Sequence, residues 1–472
     1  MEPPSKEVSS VQGEKKKPLC AFVDYTDDKD YVQPLIESAL EKHIPFLNLI
    51  HSASDLPPPT TNTITWAAYE SLDFPTLLTH PSTQLFNAYV IRKALIRKHY
   101  LLNTIENYTK KNPNCLLNSA APVSVSFEVD YAEFLDEALL EAYELSESMT
   151  ENETKSVSER QWWILKPGMS DRGVGIRLFS SMEQLQEIFD AFEEDEDDED
   201  EEDDEDAYED EDMAKSDDGE GDITSGITNS NTTELKIKSF KDTGGIVTSR
   251  LRHFVAQMYI PPVLLTPRKK NEAGDVPLPR KFHIRTYVLA VGALKVFVYK
   301  EMLALFAAKE YIAPEDSVID PTSADLSAHL TNTCLQTGDH DGSVVPFWRL
   351  TEEFEVDKEK VEGWFGQVCE ITGELFKAAV GSGRIHFQPL PNAFEIFGLD
   401  FLVGEDGGVR VLEVNAFPDF RQTGEEEKSL VGGLFEEVVR VGIKPFFGEK
   451  DGEEKSGEGR MVRVLDMEVG RF

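Results

Sequence analysis

The chain has 472 residues, 40% apolar and 29% charged, with a formal net charge of −41. Residues 193–222 hold 22 acids and one lysine, which is −21 of that total; the remainder is only moderately acidic, which argues against a nucleic-acid partner. Four cysteines without paired or metal-type spacing, a polar start and no apolar run approaching about 18 residues argue against a disulfide frame, a secretory leader and a membrane partner. The expectation is a cytoplasmic chain of two or three lobes.

Residues 1–17 read as a disordered polar tail. Residues 18–24 form a predicted strand, 31–42 an amphipathic helix and 45–50 a second strand, so an N-terminal α/β lobe is expected over 18–150. A Pro/Thr-rich connector at 55–63 precedes residues 85–102, LFNAYVIRKALIRKHYLL, apolar at helical spacing. Arg92, Lys93, Arg97 and Lys98 occupy the rest of that predicted helix, as either a solvated face or a surface that meets an anion. Residues 123–129 alternate like a strand, and 131–149 read as an acidic helix.

The second region, 151–447, opens with a strand at 161–166, QWWILK, then PGMSDRGVG and a strand at 176–179. Small residues between two strands let backbone N–H groups close around phosphate, with Lys166 at the edge; a plain tight turn explains the same pattern. A helix from Met182 runs into residues 193–233, which are acidic, then Ser/Thr/Asn-rich, and expected to be disordered. Residues 253–260 form a strand ending at Pro261-Pro262. Residues 281–291 and 294–299 form a hairpin turning at Gly292-Ala293, with Lys281, His283 and Arg285 on one face and Lys300 after the second strand. Residues 328–336, AHLTNTCLQ, are a short polar stretch in which Asn332 can cap, turn or ligate. Helices are expected at 358–380 and 429–443, and a charged tail at 448–472 contains a short strand at 461–465.

Between those helices stands FEIFGLDFLVGEDGGVRVLEVNAFPDF, residues 394–420. Strands at 394–403 and 409–414 flank an Asp-Gly turn. With Asp406 and Gly407 as the loop, Asp400 lies opposite Glu413, and Asn415 shares their face. Like charges about 5 Å apart repel by roughly 3 kcal/mol at an effective dielectric of about 20. Either the face is wet or a hard cation such as Mg²⁺ compensates. Cations ahead of paired acids suit a cleft that grips ATP between two sheets.

WWILKPGMSDRGVGI, RKFHIRTYVL, HLTNTCLQ and FGLDFLVGEDGGVRVLEVNAFP, with IRKALIRKHYL ahead of them, resemble motifs of the tubulin–tyrosine ligase and ligase-like family of ATP-grasp enzymes, in its order, from about residue 85 to 443. The chain is most similar to the fungal branch. The resemblance implies an α/β (α+β) ATP-grasp fold with N-terminal, central and C-terminal lobes. It also implies an ATP- and Mg²⁺-dependent ligase that joins a free amino acid to a protein carboxylate through an acyl phosphate. The implied acceptor carries an acidic tail, as α-tubulin does; a P-body scaffold derived from a ligase is the alternative. By the same resemblance, Arg285 and Lys300 face the γ-phosphate and the reacting carboxylate. Lys166, Arg172, Gly173, Gly175, Asn332 and Lys93, with Arg280 or Lys281, contact nucleotide or substrate. Gln257, Met258, Tyr259 and Ile260 form the adenine hinge, and Asp400, Glu413 and Asn415 bind Mg²⁺. Two residues depart from the pattern: His283 stands where the family has Asp, and Lys300 where it has Arg. The acid block is either a solvated insertion or a competitor for a basic surface of Arg268, Lys269, Lys270, Arg280 and Lys281.

Overall fold

The computed structural model describes residues 18–25, 28–168, 173–200, 252–268, 277–331, 343–382, 385–420, 428–448 and 459–468. The expectations for Arg172, Lys269, Lys270 and Asn332 lie outside these residues.

The first strand, β1 (Leu19–Asp24), pairs in parallel with β2 (Asn48–Ile50) and β3 (Asn62–Ala67), and β3 pairs with β4 (Gln84–Phe86). Parallel strands need both faces covered. Helix α1 (Val32–His43) turns Ile36, Ala39 and Leu40 into one core with Trp66, and Trp66 meets Phe394 edge-on at 5.1 Å and Phe435 at 5.6 Å. The N-terminal sheet is thereby locked onto the C-terminal hairpin.

The single helix expected over 85–102 does not form. Its start is β4, followed by a short helix at Lys93–Ile96 and a longer one at Lys98–Lys111. Helical pairing loses because these groups find partners elsewhere. Phe86 N donates to Asn392 O, Tyr89 N donates to the Glu395 carboxylate, and the Asn87 amide pairs with both backbone groups of Ala67. The helix expected over 131–149 is likewise broken, into Leu135–Ala138 and Tyr143–Asn152.

A second sheet is antiparallel, in the order β5 (Ser124–Glu128), β8 (His253–Met258), β6 (Trp163–Pro167), β7 (Arg177–Phe179). Strand β5 precedes residue 150 yet pairs with β8, well beyond it. Leu185, Ile188, Phe189 and Phe192, four apolar positions at helical spacing, cover this sheet with Trp163 and Phe254.

The third sheet is built on β10 (Arg280–Val291), long enough to pair along one edge with both β11 (Lys295–Tyr299) and β12 (Leu303–Phe306). Its other edge takes β14 (Phe394–Val403), which pairs with β15 (Val409–Ala416), while β9 (Leu264–Leu265) pairs with the start of β10, β13 (Val344–Pro346) with β12, and β16 (Met461–Asp466) closes on β11. The helix Lys358–Ser382 backs this sheet with Val361, Val368, Leu375 and Phe376.

The hairpin turn differs from the two-residue loop expected. Val403 pairs with Val409, and Gly407, with φ of 77°, follows a turn closed by Gly407 N donating to Gly404 O. This is a three-residue loop with glycine at the left-handed position. It would place Asp400 opposite Leu412. A bulge between Asp400 and Phe401 absorbs one residue and restores Asp400 opposite Glu413. The expected acid pair is present through two compensating irregularities.

Candidate active site

An open cleft lies between the β6–β7–β8 sheet and the β10–β14–β15 face. One part is an apolar slot made by Ile164, Leu178, Met258, Ile260, Leu402 and Leu412; the other is polar, with Lys166, Gln257, Lys281, His283, Thr331, Asp400 and Glu413. A cleft lined by apolar side chains together with cations and acids has the chemistry for a nucleotide with its phosphates.

Each polar group owes its position to strand alternation. Lys166 reaches the cleft from β6, where its Nζ donates to Gln257 Oε1 at 2.8 Å. Lys281 and His283 sit two apart on β10, and Lys281 Nζ lies 4.8 Å from the centre of the Tyr259 ring. Burial lowers the Lys166 ammonium to about 8, opposed by Glu413, and lowers Lys281 to about 7, helped by the Lys166 charge. Two desolvated ammonium groups lining one cleft favour an anion there.

Burial pushes the Asp400 carboxyl upward, but Arg285 and His283 hold it well below the usual carboxylate range. Arg285 grips Asp400 with both tines: Nε to Oδ1 at 2.5 Å and Nη2 to Oδ2 at 3.0 Å. Asn415 Nδ2 donates to Asp400 Oδ2 at 3.3 Å and to Glu413 Oε1 at 3.2 Å, so one amide ties the two acids together. His283 bridges outward, its Nδ1 2.5 Å from Thr331 Oγ1 and its Nε2 3.4 Å from Asp400 Oδ1. The family's Asp at this position would add a third acid; His283 instead faces one.

The hinge expected at Gln257, Met258, Tyr259 and Ile260 lines the cleft throughout. The Tyr259 hydroxyl meets His329 Nδ1 at 3.0 Å, and His329 Nε2 meets Ser317 Oγ at 2.8 Å; burial lowers the imidazole to about 3, so it stays neutral. His329 stood in the quoted HLTN motif without a role, and Leu402 shares the Asp400 face by simple alternation. Both were findable from sequence. Gly168, in the quoted PGMSDRGVG, ties the end of β6 to β8: its N donates to His253 O at 2.6 Å, and a Cβ there would stand 2.8 Å from that oxygen.

Other expected residues fall outside the cleft lining. Lys93 packs over the Tyr100 ring at 4.8 Å, and Lys300 is a half-buried residue whose backbone bonds Arg460 and Trp348. Gly173 and Gly175 take φ of 80° and 73° in the β6–β7 turn; among the described residues of that turn, Ile176 lines the cleft. Of the pair Arg280 and Lys281, Lys281 faces the cleft while Arg280 stacks on Phe306. Of the basic surface offered to the acid block, Lys269 and Lys270 lie outside the described residues. Lys281 is buried in the cleft, and Arg268 pairs with Glu355 at 2.6 Å.

The acids fit a hard cation. Among the described residues no three His, Cys, Asp or Glu side chains converge as a metal group. Two carboxylates and an amide nevertheless match Mg²⁺, which keeps water and phosphate oxygens in its shell.

The model of the tubulin-tyrosine ligase family matches residues 76–451. The chain belongs to that family. It is 42% identical over 434 residues to a probable tubulin–tyrosine ligase of Schizosaccharomyces pombe, covering 92% of this chain and 93% of the relative. It is 40% identical to the probable tubulin–tyrosine ligase PBY1 of Saccharomyces cerevisiae, covering 93% of this chain but only 54% of that longer protein. Among solved structures, the C-terminal domain of K. lactis Pby1, described as an ATP-grasp enzyme interacting with the mRNA decapping enzyme Dcp2, superposes with a TM-score of 0.64 at 34% identity. That alignment covers 95% of this chain and 99% of the solved one. The fold is ATP-grasp, and the family and fold support ATP-dependent ligation as the general activity. Among the described residues no helix is long and apolar enough to cross a membrane.

Proposed function

We propose that this protein is an ATP- and Mg²⁺-dependent ligase of the cytoplasm that joins the amine of a free amino acid, tyrosine or another, to a carboxylate of an acidic-tailed protein such as α-tubulin. The observation that carries this reading is the cleft itself, in which Lys166 and Lys281 face Asp400 and Glu413 beside an apolar slot.

The adenine would lie against Met258, Tyr259, Ile260 and Leu402. Lys166 and Lys281 would pair with the phosphates, and Asp400, Glu413 and Asn415 would hold the cation. When bound, Mg²⁺ screens the phosphate charge and polarises the transferring phosphoryl group. The acceptor carboxylate oxygen attacks the γ-phosphorus and ADP leaves. The amine nitrogen then attacks the acyl carbon, inorganic phosphate leaves, and the amine gives up a proton. The chain's own tasks are to orient these groups and to neutralise developing charge in a dry cleft. None requires a side-chain nucleophile. Arg285 is the guanidinium suited to the reacting carboxylate, and Lys300 is a further candidate.

A second reading is a scaffold in P-bodies, supported by the partner named for the K. lactis relative. One experiment separates the two: ATP-dependent incorporation of labelled amino acids into tubulin and whole-cell protein, comparing wild type with Glu413→Gln. Labelling that disappears in the variant supports the ligase and identifies both substrates. No labelling with either, together with intact Mg-ATP binding by wild type, favours the scaffold.

A further inference from the structure

Across three adjacent strands Arg285, Asp400 and Glu413 stand directly opposite one another, Arg285 with Asp400 and Asp400 with Glu413. Both oxygens of Asp400 are occupied. Oδ1 accepts from Arg285 Nε at 2.5 Å and has His283 Nε2 3.4 Å away; Oδ2 accepts from Arg285 Nη2 at 3.0 Å and Asn415 Nδ2 at 3.3 Å. Of these contacts three are N–H hydrogen bonds, two of them from the one guanidinium, while His283 Nε2 itself makes none. A divalent ion on Asp400 would have to share its oxygens with that guanidinium, whose positive charge opposes it.

The order of groups along the sheet matters as well. On the cleft face of β14 the residues run Leu402, Asp400, Gly398. Leu402 and Asp400 line the cleft, whereas Arg285 does not. Its side chain runs past Gly398, where a Cβ would stand 3.6 Å from Arg285 Cδ. Arg285 thus lies beyond the acids, on the side away from the apolar slot.

We infer that Arg285 is the resident counter-ion of this site, and that a divalent cation enters only together with nucleotide, displacing Arg285 from Asp400. This rests on Asp400 and Glu413 being cation ligands, as proposed above. Asp400 is buried and both its oxygens accept from the Arg285 guanidinium, so without nucleotide Arg285 is its cationic partner. Phosphate oxygens change the balance, because they complete the shell of the incoming ion and give the released guanidinium a new anionic partner. Only then is Arg285 free to receive an acceptor carboxylate. Binding is therefore ordered: nucleotide and cation first, acceptor second.

The test is Mn²⁺ binding to the full chain, read from the EPR signal of free Mn²⁺, with and without ADP. Wild type alone binds Mn²⁺ weakly, and ADP tightens it well beyond the affinity of ADP itself for Mn²⁺. Arg285→Gln without nucleotide binds Mn²⁺ at least about tenfold tighter than wild type, because the blocked fraction of sites is released. Its melting temperature rises with Mn²⁺ where that of wild type does not, and Arg285→Lys, which loses the fork but keeps the charge, falls between. If Arg285→Gln binds no tighter than wild type while the wild type with ADP does bind, the exchange is wrong and the cation site stands. If neither binds, the cation site itself is wrong. Should Arg285→Gln not fold, Arg285→Lys and the wild type decide: equal Mn²⁺ affinity of the free wild type with and without ADP overturns the exchange.

Discussion

Two buried carboxylates stand five residues apart on β14 and titrate in opposite directions. Glu395 is fully buried, and burial pushes it up to about 8 despite Arg92 and the Tyr89 N–H. Asp400, also buried, is held well below the usual range because Arg285 and His283 outweigh burial. An odd separation puts them on opposite faces of the strand. Glu395 looks toward the N-terminal lobe, taking Arg92 Nε at 2.9 Å and Tyr89 N at 3.1 Å, with the Arg92 guanidinium 3.6 Å from the centre of the Tyr69 ring. Asp400 looks into the cleft. The comparison separates an ion pair that joins lobes from one that can be exchanged for a ligand.

The largest effect should come from breaking the first pair. Arg92→Ala should cost about 3–5 kcal/mol in urea unfolding above pH 8, where Glu395 is ionised and is left as a buried charge without its partner. The loss should shrink at pH 7 and below, where Glu395 is protonated in the folded state. The sign follows from a folded pKa above the unfolded one: stability from Glu395 is present below about 4.5 and lost as pH rises through about 8. A cost that is small, or unchanged in acid, would remove the distinction drawn here.

Asp400→Asn should behave the other way, reducing amino-acid labelling by about 10²–10³-fold with a smaller stability loss than Arg92→Ala, because the abandoned Arg285 side chain is 14% exposed and can be hydrated. Equal stability losses in the two variants would make Asp400 another structural acid.

Lys281→Met should weaken nucleotide binding about tenfold near pH 6.5 and less above pH 8, where Lys281 is already neutral. In the wild type, with Lys281 near 7 and Lys166 near 8, phosphate favours both charged forms, so binding takes up protons and affinity falls as pH rises through that range. The free protein has the opposite sign. Unfolded lysines bind more protons, so stability from this pair grows as pH rises from about 7 toward 10.5. Calorimetry in two buffers of different ionisation enthalpy measures the uptake; none at pH 8 would contradict it. The smallest change is Tyr259→Phe, which removes the hydroxyl at His329 and should raise the nucleotide KM by only about two- to fivefold, the value of one neutral hydrogen bond.

Much of the site could be read from residue order because strand alternation is local. Lys281 and His283, Gln257 and its neighbours, and Asp400 with Glu413 all share the cleft lining. The expected one-piece helix over 85–102 failed for the complementary reason. Its apolar spacing is real, but Asn87, Tyr89 and Arg92 bond partners far away in sequence, at Ala67 and Glu395, and those outweigh helix propensity. Lys93 and Lys300 carried the right charge for the cleft without lying in its lining, since charge type says nothing about direction.

Sequence alone determined many of the strands, though not β3, β4 or β12, and which residues of a strand share a face, because a period of two acts over a few residues. Tertiary structure alone decided three things. The bulge at Leu412 keeps Asp400 opposite Glu413, Arg285 rather than a lysine neutralises Asp400, and the cleft closes with His329 and Thr331 from a separate segment. Each depends on which distant strand lies alongside, a choice made by burial of whole faces and not by any local pattern.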